Sequence, residues 1–269
     1  SCGASSLTTC CSAWRGFWLL LMLASTGATA AEKIRYCDYP VYPPISWSDG
    51  KQVRGLAPSV VKKLFGQLGY EVEIVELDNW NRCVLDAVEG RVDLVLAYRT
   101  AAREQSLVFS TVPVLREEVA VFINRQHPVA IDRLEDLARY RGGFLFGESY
   151  GETFDRFINQ HQNIEKVSDS RQNFGKLIRG RIDFIVSERR TGQMQVDTLP
   201  GTQDIVALAE SFGVDYLRVA VSRRSPVARR MADIDAQLRR MVDSGEVERL
   251  LHESEVTYRD TLSQPPDRP

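Results

Sequence analysis

The sequence predicts an α/β protein of two similar lobes, each a mostly parallel sheet flanked by helices. Short apolar strand segments alternate with amphipathic helical segments, which is typical of parallel strands joined by right-handed crossovers. The segment Gly90-Arg-Val-Asp-Leu-Val-Leu96 recurs 90 residues later as Gly180-Arg-Ile-Asp-Phe-Ile-Val186. Each copy follows a helical pattern and opens a buried strand. The chain is also long enough for two lobes of about 100 residues, each with its own core.

The elements follow in chain order from the hydrophobic pattern. The first lobe begins with a strand and a turn-rich Pro segment, and Gly69 ends its first helix. Its predicted elements are strand 34–37, helix 58–68, strand 72–77, helix 82–89 and strand 92–97. Two apolar runs, Glu118 to Asn124 and Tyr216 to Val221, are predicted to connect the lobes, and helices follow at 226–242 and 247–252.

These elements predict a discontinuous first lobe. It comprises residues 32–122 plus 218–260, and the second lobe comprises 123–217. A Pro-rich tail, 261–269, is expected to be disordered.

Residues 1–31 have the layout of a secretory signal peptide. Their one charged residue, Arg15, precedes an apolar stretch and an Ala28-Thr-Ala30 cleavage pattern. The uncharged run is shorter than the ~20 residues of a membrane-spanning helix. No Cys directly follows the apolar stretch as a lipid attachment site. We therefore expect a mature protein free in the periplasm of a Gram-negative bacterium.

Composition excludes several classes of function. The chain has 34 Lys and Arg against 36 Asp and Glu, with no basic block for a phosphate backbone. It lacks the G-x-S-x-G and H-E-x-x-H motifs and any clustered metal-ligand pattern. We expect no nucleic-acid partner, no metal, no cofactor and no catalytic residues, in a protein that is a monomer.

Two cysteines, Cys37 and Cys83, lie beyond the predicted leader. In an oxidising compartment such a pair forms a disulfide, whereas the alternative is two buried free thiols. Cys37 ends the first strand, and Cys83 lies in the helix that leads to the neighbouring strand. Their Cα atoms could therefore approach the ~5.5 Å of a disulfide, and the placement predicts a bond.

Several short motifs recur in a recognisable order. They include Tyr42-Pro-Pro44, Thr100-Ala-Ala-Arg103 followed by Phe109-Ser110, and Gly147-Glu-Ser149. In these motifs the chain resembles the family-3 extracellular solute-binding proteins, the polar amino-acid receptors of ABC importers. The resemblance covers nearly all of the mature chain. It implies the type II periplasmic binding protein fold, hinge closure on an amino-acid-like zwitterion or carboxylate, and an ABC permease as partner.

The resemblance also implies a set of ligand-binding residues. Arg103 would grip the ligand carboxylate with its guanidinium, and Glu188 stands where the family usually carries an Asp that receives the ammonium. Tyr42 and Trp80 would form an aromatic wall. Ser149 would start a helix whose backbone N–H groups donate hydrogen bonds to a ligand carboxylate. The full set is Asp38, Tyr42, Trp80, Tyr98, Thr100, Arg103, Ser149 and Glu188.

Each assignment has a plain structural alternative. Arg103 could form a surface ion pair, Glu188 could pair with Arg189 or Arg190, and Ser149 could simply cap a helix. Two residues also depart from the family pattern. Tyr98 stands where a small Ser or Thr is typical, and Glu148 replaces a usual Thr. The class of ligand therefore follows less directly from the resemblance than the fold does.

Two other functions are compatible with the same fold. One is a periplasmic dehydratase of the prephenate or arogenate type, for which Glu188 is the candidate general acid. The other is a ligand sensor that docks on a separate membrane signalling protein.

Overall fold

The computed structural model describes residue 3 and residues 30–263. The predicted signal peptide lies almost entirely outside the described residues, as does the end of the predicted tail, 264–269. Among the described residues, 31–263 belong to one compact unit.

The strands alternate with the helices as predicted. In chain order they are β1 (Glu32–Asp38), β2 (Val41–Tyr42), β3 (Ser46–Ser48), β4 (Val53–Arg54), β5 (Tyr70–Glu76), β6 (Leu94–Tyr98), β7 (Leu107–Phe109), β8 (Leu115–Asn124), β9 (Gly142–Leu145), β10 (Ile164–Val167), β11 (Phe184–Glu188), β12 (Ile205–Ala207) and β13 (Gly213–Ser222). The helices are α1 (Leu56–Gln67), α2 (Trp80–Val88), α3 (Ala101–Glu104), α4 (Glu152–Gln160), α5 (Ser170–Ile178), α6 (Arg189–Thr198), α7 (Met231–Asp243) and α8 (Glu246–Ser263), with 3₁₀ turns at Leu134–Arg139 and Pro226–Arg230.

One ten-stranded sheet runs through the protein in the order β10-β9-β11-β8-β13-β6-β1-β5, with β12 and β7 at its sides. The order has two matching halves. We call the part built on β5, β1, β6 and β13 the first lobe, and the part built on β10, β9, β11 and β8 the second lobe. In each lobe the three outer strands are parallel and the innermost strand is antiparallel to its neighbour.

The two predicted connections are the long strands β8 and β13. They pair with each other in antiparallel register from Leu115 with Leu217 to Val119 with Gly213. Beyond that stretch β8 pairs with β11 and β13 pairs with β6. The domain boundaries expected from the sequence, after 122 and after 217, fall inside these two strands.

The repeated Gly-Arg-x-Asp segment performs the same structural task in both lobes. The Asp93 carboxylate accepts the Arg35 backbone N–H at 2.7 Å, and the Asp93 N–H donates to the Arg35 carbonyl at 2.8 Å. Asp183 makes the same pair of bonds to Arg141, at 2.8 and 2.7 Å. Each aspartate thus ties the start of a central strand to its parallel neighbour.

The C-terminal helix differs from the expectation. It begins at Glu246 but continues to Ser263 instead of ending near 252, so 261–263 of the predicted tail are helical. Its second half contacts α6 of the second lobe, because Arg190 pairs with Glu255 at 3.2 Å and Arg259 with Asp197 at 2.9 Å. Periodicity missed this extension because it is held by ion pairs rather than by an apolar stripe. Within 30–263, no helix is long and apolar enough to span a membrane.

The structure contains the predicted disulfide between Cys37 and Cys83, with Cα atoms 5.6 Å apart. Both residues are fully buried, among Val95, Ala97 and Ala220. The bond joins the end of β1 to α2 and so anchors the helix that carries Trp80.

Candidate functional site

Three of the predicted site residues occupy the carboxyl ends of strands. Asp38 ends β1, Tyr98 ends β6 and Glu188 ends β11. Open α/β sheets bind ligands at this edge, where chains leave their strands in different directions. Because the two lobes face each other across β8 and β13, these three residues meet at one cavity.

The cavity is lined by residues of both lobes. Five of the eight predicted ligand-binding residues line it: Asp38, Tyr42, Trp80, Tyr98 and Glu188. The other three, Thr100, Arg103 and Ser149, are not part of its lining. The polar and aromatic side chains that were not predicted to bind ligand but contribute to the wall are Tyr36, Tyr39, Ser46, Glu117, Glu148 and Thr191.

Tyr98 and Glu188 join the lobes directly. The Tyr98 hydroxyl donates a hydrogen bond to Glu188 Oε1 at 2.9 Å, and both residues are buried. Glu188 Oε2, also buried, has no hydrogen-bond partner among residues 30–263. The structural alternative, a pairing of Glu188 with Arg189 or Arg190, is not formed, since Arg189 pairs with Glu118 and Arg190 with Glu255.

Two further tyrosines bridge the lobes at the mouth of the cavity. The Tyr42 hydroxyl donates to Glu148 Oε1, and the Tyr39 hydroxyl donates to the Ser168 carbonyl. Together with the Tyr98 contact, these bonds hold the lobes close on both sides of the cavity. The structure is therefore a closed arrangement.

Arg103 lies beside the cavity and binds backbone rather than a side-chain carboxylate. Its Nη1 donates to the Tyr98 carbonyl at 2.8 Å and its Nη2 donates to the Gly147 carbonyl at 3.4 Å, so it links the two lobes. The guanidinium also lies 5.8 Å from the centre of the Trp80 ring. The structural alternative, a surface ion pair of Arg103, is not formed within the described part of the chain.

Thr100 and Ser149 have local structural roles. Thr100 caps α3, where its hydroxyl accepts the Arg103 N–H at 3.2 Å. Ser149 does not start a helix, because α4 begins after Gly151. The Ser149 hydroxyl instead donates to Asp155 at 2.5 Å, and the Tyr150 N–H donates to the same carboxylate at 2.9 Å. Asp155 therefore holds the loop that contains Ser149 in place, whereas the sequence predicted that Ser149 itself would begin the helix.

The carboxyl groups of the cavity have raised pKa values. Burial raises the pKa of Glu188 to about 8, helped by the like charges of Glu148 and Glu117. Burial likewise raises the pKa of Glu117 to about 7, against the attraction of Arg190. Burial raises the pKa of Asp38 to about 6, although the Tyr36 hydroxyl donates to it at 2.8 Å. The cavity therefore favours neutral carboxyls unless a positive charge enters.

Glu117 and Glu148 are the principal residues that sequence reasoning did not assign to the site. Glu117 lies in β8 just before the predicted connection, and its burial within a strand gives no motif signal. Glu148 stood out as a departure from the family pattern, and that departure was the available signal. Tyr36 lies two residues before Asp38 in β1, so strand alternation could have identified it, whereas Tyr39 follows the strand and had no such signal.

The architecture is shared with solved two-lobed binding proteins. An ancestral arginine-binding protein bound to arginine is similar with a TM-score of 0.72 at 19% identity, over 83% of this chain and 98% of that one. An amino acid ABC transporter substrate-binding protein from Streptococcus pneumoniae bound to L-arginine has a TM-score of 0.72 at 20% identity, over 87% and 97%. A histidine kinase sensor domain with similarity to periplasmic binding proteins has a TM-score of 0.73 at 18% identity, over 83% and 96%.

These likenesses define the fold as that of a two-lobed periplasmic binding protein. Residues 34–253 match the bacterial extracellular solute-binding proteins, family 3, and the chain belongs to that family. No curated protein matches the chain. Within residues 30–263, no group of three or more His, Cys, Asp or Glu side chains is arranged to hold a metal ion.

Proposed function

We propose that this protein captures a small amino-acid-like ligand in the cavity between its two lobes and delivers it to a membrane partner. The observation that carries the proposal is the cavity itself, which lies at the carboxyl ends of strands from both lobes and is enclosed by hydrogen bonds between them. Family membership supports solute capture as the activity. Two structures of similar fold hold arginine, which supports a ligand of amino-acid size.

The predicted residues divide into two groups in this proposal. Asp38, Tyr42, Trp80, Tyr98 and Glu188 contact the ligand, because they line the cavity. The remaining three, Thr100, Arg103 and Ser149, hold the loops around it. Arg103 matters most among these, since it binds carbonyls of both lobes and so favours the closed arrangement.

We propose that the lobes rotate relative to each other about β8 and β13. The boundaries between the lobes are those expected from the sequence, after residues 122 and 217. Two strands that pass between lobes form a typical hinge, and a ligand that bridges the lobes favours closure. The place of action is the periplasm, and the active form is a monomer. The partner is an ABC permease or, as the likeness to a kinase sensor domain suggests, a membrane sensor.

The dehydratase alternative is less favoured by the electrostatics of the cavity. A raised pKa keeps Glu188 protonated near neutral pH, as a general acid requires. Prephenate, however, carries two carboxylates, and the cavity wall already holds Asp38, Glu117, Glu148 and Glu188. Incubation with prephenate should give no phenylpyruvate chromophore, and its appearance would establish an enzyme.

A thermal-shift screen against amino acids, amines and small organic acids tests the proposal. A ligand at 100 times its Kd adds ~2.7 kcal/mol to the free energy of unfolding, which is a readily measured shift. The same ligand should lower the radius of gyration in X-ray scattering as the lobes close. A screen in which no small solute raises the melting temperature would contradict the proposal.

A further inference from the structure

Within residues 30–263, the cavity wall contains acidic side chains and no basic ones. Among the described residues that line it, four have carboxyl groups, namely Asp38, Glu117, Glu148 and Glu188, and none is Lys, Arg or His. A ligand that carries net negative charge would be repelled by this wall, whereas a cation would be attracted. The composition of the wall therefore favours a ligand that carries positive charge.

Two of these carboxyl groups have oxygens that lack hydrogen bonds. Glu188 is 7% exposed and Glu117 is 4% exposed, yet Glu188 Oε2 and Glu117 Oε1 have no hydrogen-bond partner within 30–263. The nearest cation to Glu117 is Arg190, at 3.9 Å, outside the cavity wall. Buried polar atoms are rarely left unpaired. Both oxygens are therefore available to a donor that enters the cavity.

Tyrosine hydroxyls orient the carboxyl groups at both ends of the cavity. Tyr98 donates to Glu188 and Tyr42 donates to Glu148. Tyr42 and Tyr98 line the cavity together with Trp80, and aromatic rings attract alkyl ammonium and guanidinium groups. The wall thus combines carboxyl groups, which a bound cation would hold in their ionised form, with aromatic surface, and this combination recognises an organic cation.

The one guanidinium next to the cavity is already compensated. Arg103 binds two backbone carbonyls. The carboxylates of Glu148, Asp155 and Asp215 lie close enough to raise its pKa against the lowering effect of burial. A ligand carboxylate that approached Arg103 would meet these three carboxyl groups as well as the guanidinium. Glu148 in particular supplies, from the protein itself, the negative charge that a ligand carboxylate would otherwise bring.

We propose that the cavity selects a small organic cation, an amine or guanidine, and prefers the form without a carboxylate over the corresponding amino acid. This rests on the proposed function, because it concerns the same cavity and the same closure. Glu188 and Glu117 accept the N–H groups of the cation, Tyr42, Tyr98 and Trp80 surround its alkyl part, and Glu148 disfavours a ligand carboxylate.

Matched pairs of ligands that differ only in the carboxylate test this preference. The pairs are agmatine with arginine, cadaverine with lysine, and putrescine with ornithine. Calorimetric titration of the purified protein should show at least one amine that binds about tenfold or more tightly than its parent amino acid, a difference of ~1.4 kcal/mol. Glutamine and glutamate serve as neutral and acidic comparisons.

Variants locate the preference in named carboxylates. Glu188→Gln keeps the size of the side chain and removes its charge, so the affinity for the best amine should fall by about tenfold or more. Glu148→Gln keeps an acceptor for Tyr42 and leaves Arg103 less compensated, so the ratio of amine to amino-acid affinity should shrink by about fivefold or more. Glu71→Gln, at an exposed pair with Lys33 on the outer strand β5, should leave affinity unchanged.

The outcomes separate this inference from the proposed function. Parent amino acids that bind as tightly as their amines, or tighter, would overturn the preference and leave amino-acid capture standing. Binding of glutamine or glutamate alone would overturn the cation class in the same way. If no solute of any charge binds, both the inference and the proposed function are wrong.

Discussion

The two lobes share a frame and differ at the positions that face each other. In both, a helix ended by a left-handed glycine, Gly90 or Gly180, leads into a strand whose aspartate, Asp93 or Asp183, binds the backbone of the neighbouring strand. Counted from these glycines, Tyr98 and Glu188 occupy the same position at the ends of β6 and β11. They form a hydrogen bond with each other across the cavity. The shared frame thus sets where the strand ends lie, and the residue at each end sets their chemistry.

The frames also differ in how each lobe joins its first strand to the helix of the repeat. The first lobe uses the disulfide between Cys37 and Cys83. In the second lobe the corresponding residues are Gly143 and Asn173, and a Cβ on Gly143 would overlap the Asn173 side chain. The same close approach of strand and helix is thus covalent in one lobe and a van der Waals contact in the other. The comparison suggests that only the first lobe depends on oxidation.

The largest expected effect comes from removal of the disulfide. It spans 46 residues, and loop-closure entropy for such a span corresponds to about 4 kcal/mol. The double variant Cys37→Ala, Cys83→Ala should therefore lose about that much free energy of unfolding in urea. Hydrogen exchange should show faster opening of β1 and α2 than of β9 and α5. Asn173→Ala, the matched change in the second lobe, should cost no more than about 2 kcal/mol, and equal losses would contradict the comparison.

The acidic strand ends make stability depend on pH. The pKa values of Asp38, Glu117 and Glu188 rise on folding to about 6, 7 and 8, chiefly because of burial. A carboxyl whose pKa is raised stabilises the fold fully below its unfolded pKa, and this contribution is lost as pH rises through its folded pKa. Without ligand, the free energy of unfolding should therefore fall between about pH 4 and pH 8.

Urea unfolding at half-unit intervals of pH measures this slope. Glu188→Gln should flatten it, most clearly between pH 7 and pH 8, because it removes the group with the highest pKa. The groups that face Glu188, namely Glu117, Glu148, Tyr42, Tyr98 and Tyr150, are unchanged in that variant. A stability that rises over the same pH range would show that the cavity carboxyls are not buried as described.

The frame was predictable from the sequence because local patterns encode it. Helical periodicity, glycine stops and the repeated Gly-Arg-x-Asp segment depend on neighbours in the chain, and they located β6, β11 and the helices before them. The strand-end residues Asp38 and Glu188 were assigned through the family resemblance, and the structure places both at strand ends. The disulfide followed from the placement of Cys37 and Cys83 on adjoining elements.

The chemistry of the cavity was harder to predict because it depends on contacts between the lobes. Nothing near Glu117 in the chain indicates that it faces Glu188, and nothing near Arg103 indicates that its donors are taken by the carbonyls of Tyr98 and Gly147. The family resemblance predicted that Arg103 binds the ligand carboxylate, because Arg103 lies in a motif that matches the family. Glu148, the residue that breaks the family pattern, changes the electrostatic surroundings of that arginine.

A pair of glycines tests whether closure depends on the contact between lobes. Gly147 has φ 87° and Gly151 has φ 95°, so alanine is strained at both by about 1 to 2 kcal/mol. Only at Gly147 would the added Cβ overlap another side chain, that of Asn81 in the first lobe. Gly147→Ala should thus open the lobes, raise the radius of gyration and weaken ligand affinity by about tenfold.

Gly151→Ala is the control for strain alone, because nothing lies within 4 Å of its Cβ position. It should lower stability without opening the lobes. Asn81→Ala combined with Gly147→Ala should restore closure, since the overlapping atoms are removed. Equal scattering profiles for the two single variants would mean that the lobes do not approach at Gly147.

The smallest expected effect tests the shared frame itself. Asp93→Ala and Asp183→Ala each remove a carboxylate that accepts a backbone N–H, at 2.7 and 2.8 Å. Each change should cost about 1 to 1.5 kcal/mol of unfolding free energy, the usual net value of such a bond. Each aspartate has one more partner, since Asp93 also accepts the Ser225 hydroxyl at 2.7 Å and Asp183 also contacts the Arg141 guanidinium at 3.4 Å, so the two losses should be similar. Hydrogen exchange at Arg35 and Arg141 resolves the two sites, and each amide should lose protection only in the variant of its own lobe. A loss of stability in only one of the two variants would contradict this prediction. It would mean that Asp93 and Asp183 make the same backbone hydrogen bonds but contribute differently to the free energy of unfolding.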